Sequence, residues 1–153
     1  MSEEAQTSGN FSVLRKAYKE KTDQVTIDME IPGYDGLLYC RYRLLSLEEM
    51  TGITKNDRGK ITATNLSLNA SSILATCCVQ FMYRESPGEE LQPLLWDGNP
   101  VKYDKELATA IGFEGDNAHE VALGLFSNND LALVAHASDV TNWARTAGDA
   151  TFL

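Results

Sequence analysis

Between Ile61 and Tyr83 the chain reads ITATNLSLNASSILATCCVQFMY, a run without one charged residue in a protein in which 23% of residues are charged. A segment of that kind has to be covered by the rest of the fold on more than one side. Leu66, Ala70, Ile73, Leu74, Cys77, Cys78 and Phe81 recur at three- and four-residue spacing, which predicts a central helix over 61–83 with a broad core-facing stripe. Ala75, Val79 and Met82 fall on a second apolar flank. The remaining face carries Ser67, Asn69, Ser71, Ser72, Thr76 and Gln80, which another protein surface can approach without burying an ion. These polar residues interrupt every window, and the apolar part falls short of the ~20 residues that a membrane span requires.

With 153 residues the chain can build one domain with a real core. Its 13 basic and 22 acidic residues give a formal charge of −9, which repels phosphate backbones and argues against non-specific binding to nucleic acid or anionic membranes. Cys40, Cys77 and Cys78 have no CxxC spacing and no histidine close in sequence, and neighbouring cysteines on a helix point about 100° apart. Packing is therefore their expected role. The opening MSEEAQTSGN is acidic and polar, unlike a secretory leader, so a reducing, cytoplasmic setting is expected.

Residues 1–22 read as a flexible N-terminus, too polar to offset its ordering entropy by burial, with at most a helical turn near Phe11 to Tyr18. A single α+β domain is expected over 23–146, with an N-terminal β-hairpin at 24–45, a mainly helical part at 47–146 and a tail at 147–153. The hairpin rests on alternation: Val25, Ile27, Met29 and Ile31, then Leu38, Cys40, Tyr42 and Leu44, on either side of PGYDG. Asp28 or Glu30 would pair with Arg41 or Arg43 across the strands. Ser46 and Glu49 make a capping box for a short helix from about Leu47 to Gly52, and 54–59 reads as a solvated link. Ser86-Pro87-Gly88 closes the central helix. Asp97-Gly98 predicts a small hairpin on which Trp96 and Tyr103 face each other. Three further helices follow, one capped by Asp104 and closed by Gly112, one opened by Asn117 with Glu120, and one opened by Ser127 with Asp130, whose buried side is Leu133, Val134, Ala137, Val140 and Trp143.

Catalytic signals are scarce. His119 and His136 have no ligand-spaced partner; the first reads as solvent-facing and the second as a satisfied core or boundary histidine. Asp35, Asp57 and Glu89-Glu90 are carboxylates on loops, which are usually solvated, and the turn glycines assemble no phosphate loop. No nucleophile has a base beside it. A binding protein without cofactor or metal is the expected class, not an enzyme.

The order of elements carries a resemblance. An Arg-containing strand and capped helix, RYRLLSLEEM, is followed by an uncharged helix ending LATCCVQFMYR, then WDGNPVKYDKELATAIG and a terminal helix ending NNDLALVAHASDVTNWA. In this order, length and acidity the chain resembles the tail assembly chaperones of long-tailed bacteriophages, especially those of actinobacterial phages. The resemblance covers about Val25 to Ala144. It implies a small acidic protein of the host bacterial cytoplasm that binds the phage tape measure protein, recruits tail tube protein and leaves before the virion is complete. A homo-oligomer is compatible with it. The candidate protein-binding residues are Leu133, Val140, Trp143 and Trp96. The alternative is a phage structural protein such as a head–tail connector or tail completion subunit.

Overall fold

The computed structural model describes residues 2–46, 48–49, 53 and 63–152. Among them it has an α+β fold, in which a four-stranded antiparallel sheet with strand order β1-β2-β3-β4 is covered by helices and a two-stranded ribbon stands apart.

Helix α1 (Ser2–Gln24) occupies the stretch that the sequence reads as flexible. Its residues 11–21 are all exposed, and its Lys16–Glu20 contact of 3.9 Å is a solvated pair one turn apart, worth a few tenths of a kcal/mol. The hairpin follows as expected: β1 (Thr26–Glu30) pairs antiparallel with β2 (Leu38–Arg43), with Asp28 opposite Arg41. Arg41 holds Asp28 through both its Nε and Nη2, at 2.7 and 3.0 Å. Arg43 instead turns to Glu49, Glu49 also bonds the Ser46 backbone N–H, and the Ser46 hydroxyl accepts from the Glu49 N–H. The capping box is therefore formed. Most of the helix expected from Leu47 to Gly52, the link at 54–59 and the first residues of the uncharged stretch lie outside the described residues.

The uncharged stretch is not one helix. Helix α2 (Ala63–Cys77) ends without glycine or proline, and Cys78–Tyr83 continues directly as β3, paired with β2 along Leu38↔Tyr83, Cys40↔Phe81 and Tyr42↔Cys78. A short apolar run fits either period, and here the β-forming residues Phe81 and Tyr83 find backbone partners on both sides. On the far side β4 (Gln92–Pro93) pairs with Met82 and Tyr83, Phe81 donates its N–H to Val101, and its carbonyl accepts from Leu94. Charge is absent from β3 because it is an interior strand, with Phe81 at 0% exposure. A register shift between Arg41 and Tyr42 puts Cys78 on the same face as Phe81.

The ribbon of β5 (Leu95–Trp96) and β6 (Asn99–Pro100) turns at Asp97-Gly98, both with positive φ, as a two-residue hairpin turn requires. Trp96 lies opposite Asn99, whereas Tyr103 points into the core against Phe81, so the two do not face each other as the sequence predicts. Helix α3 (Lys105–Ile111) has Asp104 as its cap and Gly112 in the left-handed region at its end, and α4 (Ala118–Leu125) is capped by Asn117, all as expected. At Gly124 a Cβ would collide with the Phe113 ring, so glycine is what lets that ring lie against α4. Helix α5 (Asp130–Phe152) extends through the expected tail. Its first turn is capped by Asn129, which accepts from the Ala132 N–H, because Ser127 and Asn128 are spent on a left-handed turn. Helices α2, α4 and α5 pack on one another over the inward row of β2, Leu38, Cys40 and Tyr42.

Candidate functional site

The polar chemistry of the molecule is concentrated inside it. Tyr42 from β2 places its hydroxyl 2.5 Å from that of Tyr103 and 2.9 Å from Nε2 of His136 on α5. The three rings come from distant parts of the chain and are walled in by Phe81 and Phe126, each in ring contact with one of them. Burial pushes both tyrosine hydroxyls up, and burial, opposed by Asp139, lowers His136 to about 4. At neutral pH the histidine is uncharged and both phenols are protonated, so the trio is a saturated hydrogen-bond chain closed to substrate. His136 is the satisfied core histidine that the sequence predicts. His119 is not solvent-facing: it is half-buried, with Nε2 3.2 Å from the Ser67 hydroxyl.

The three thiols are buried and reduced. Cys40 and Cys78 lie 3.5 Å apart at sulfur, and Cys77 donates to the carbonyl of Ile73. Burial raises Cys77 to about 12 and Cys40 well above its ordinary value, which keeps them as protonated packing groups rather than nucleophiles. Among the described residues no group of three or more His, Cys, Asp or Glu is placed to hold a metal, and no helix is long and apolar enough to cross a membrane.

The predicted docking residues are not brought together. Leu133 and Val140 are 0% and 1% exposed and belong to the core, and Val140 also borders the second of the two cavities along α2 and α5. Trp143 is half-buried against that core, and Trp96 is exposed on the ribbon. One residue further round α5 than Leu133 and Val140, at about 100°, Val134, Ser138, Thr141 and Asn142 line a groove of about 380 Å³ against Leu66, Asn69 and Ile73 of α2. A second cavity of about 320 Å³, between Tyr18 of α1, the end of β2, α2 and the later turns of α5, shares Ile73 and Thr141 with the first and extends it past Ala144 to Arg43 and Arg145. The two form one channel along the α2–α5 seam. Among the described residues no carboxylate lines either part. The α2 wall is drawn mainly from the stripe that the sequence reads as core-facing, Leu66, Ala70, Ile73 and Cys77 with Asn69 beside them, whereas Ser67 and Ser71 of the polar face are buried.

Comparison with protein-family models, with curated proteins and with solved structures finds no match for this chain.

Proposed function

We propose that the protein is a tail assembly chaperone of a long-tailed bacteriophage, a binding module that holds the tape measure protein soluble in the host cytoplasm while tail tube subunits assemble. It acts by covering a helical client, without cofactor or catalysis. The observation that carries this reading is the channel between α2 and α5, lined among the described residues by apolar and small polar groups with Arg43 and Arg145 at one end and no carboxylate, and as long as several helical turns, the surface that an amphipathic helix lays its apolar face into. The resemblance in element order supports the same reading. The buried state of His136 and the cysteines supports binding over chemistry.

Co-expression with the tape measure protein tests it. The native chain is expected to raise the soluble fraction of the client, and a Ser138→Lys, Asn142→Lys variant, which sets cations on the channel wall, is expected to lose that effect while keeping its far-UV circular dichroism. An undiminished soluble fraction with the folded variant would remove the channel from the client contact. Virions are expected to lack the protein; its stoichiometric presence in purified particles would favour a connector or completion subunit.

A further inference from the structure

The α2–α5 channel has a direction. Leu66 and Val134 border its first part alone, Cys77, Arg145 and Gly148 its second part alone, and Ile73 and Thr141 border both. Both helices therefore run along it the same way, from an end of apolar and small polar groups to an end that carries two guanidinium groups. On α5, Val134, Ser138, Thr141 and Arg145 recur at three- and four-residue spacing, a single row about 16 Å long.

The two arginines differ in what they already hold. Arg43 donates to both carboxylate oxygens of Glu49, at 2.9 and 2.7 Å, and to the Thr76 carbonyl near the end of α2, so its charge is answered within the chain. Arg145 is exposed and forms no ion pair among the described residues. A helix seated in the channel with its apolar face inward brings its own side chains beside this guanidinium. A lysine there is repelled, whereas a Glu or Asp gains a partner at the rim, where it stays hydrated. We infer that the segment taken up by the channel is an amphipathic helix with carboxylates at the end that meets Arg145 and uncharged side chains at the end that meets Leu66 and Val134. This rests on the channel being the client site, and adds which client segment fits it and which way round. The chain as a whole, at −9, repels acidic peptides, so this selection is opposite to the one that net charge alone makes.

Fluorescence anisotropy of labelled peptides titrated with the purified full chain tests it. The peptides are amphipathic helices of about 16 residues with one leucine, alanine and glutamine pattern, and differ only in a first turn that carries glutamates, glutamines or lysines. The glutamate peptide is expected to bind about threefold tighter than the glutamine peptide at low ionic strength, the lysine peptide no tighter than the glutamine one, and the differences to shrink in high salt. Arg145→Glu is expected to invert the order with unchanged thermal melting, because its side chain is exposed, whereas Lys105→Glu on α3, the same charge change away from the channel, is expected to leave the order as it is. Equal affinities on the native chain, or the lysine peptide binding tightest, would overturn the inference and leave the channel as the client site. So would an order that survives Arg145→Glu. Binding of none of the three peptides would remove the channel as the client site, and this inference with it.

Discussion

The two halves of the uncharged stretch avoid charge for different reasons. In β3 the cause is enclosure: Phe81 and Cys78 face the core, the backbone is bonded on both edges, and Phe81 meets Tyr103 edge-on at 4.9 Å. In α2 one face is enclosed, through Ala70, Leu74 and Cys77, while Leu66, Asn69 and Ile73 line a channel that the chain leaves unfilled. One missing property, charge, thus serves stability in the strand and accessibility in the helix. Sequence composition alone does not separate them.

Perturbing both halves separates them. Phe81→Ala removes a side chain with no exposure and no room for relaxation, and is expected to cost about 3–5 kcal/mol in chemical denaturation. A loss below about 1 kcal/mol would break the contrast at its strong end. Next comes acid. His136 binds a proton near 6.5 when unfolded and near 4 when folded, so its contribution is complete above pH 6.5 and declines as pH falls toward 4. The loss is expected to reach about 3 kcal/mol in thermal or denaturant melts, and His136→Gln is expected to flatten that part of the profile. Glu49, lowered to about 2 chiefly by its Arg43 hydrogen bond, loses its contribution at lower pH, as the carboxylate is protonated below its unfolded range, and does not blur the test. Tyr42→Phe leaves Tyr103 and His136 without their shared partner and is expected to cost about 1–3 kcal/mol. Smallest is Leu66→Ala on the channel wall, expected within about 0.5 kcal/mol of the native chain in stability yet weaker in client binding. A large stability loss there would make α2 a core helix on both faces and erase the distinction.

The hairpin, the Asp28–Arg41 pair, the capping boxes at Ser46 and Asn117 and the caps of α3 were legible because each is local, set by residues within a few positions of one another or across one turn. The helix-to-strand change at Cys77–Cys78 was not. It depends on Leu38 to Tyr42 and on Leu94 and Val101, far away in sequence, offering backbone partners to a run whose own period is ambiguous. The burial of individual α5 residues was not legible for a related reason. Leu133 and Val140 lie in the core while Leu131, equally apolar and two residues from Leu133, is 76% exposed, a difference that only packing against the other helices decides. The channel was not legible, because its α2 wall comes mainly from the stripe that reads as core-facing, while Ser67 and Ser71 of the polar face are buried. Its second wall emerged when α5 was laid beside α2.

The bond between Tyr42 and His136 joins residues 94 positions apart, and that between Tyr34 and the Leu125 carbonyl joins residues 91 apart. During synthesis the inward row of β2 therefore leaves the ribosome long before the surfaces that cover it. Contacts of such high sequence separation slow folding, because the loop must close before they contribute. For much of its translation this chain holds Leu38, Cys40 and Tyr42 with only α2 made to cover them, and α5 sets the time at which the molecule closes.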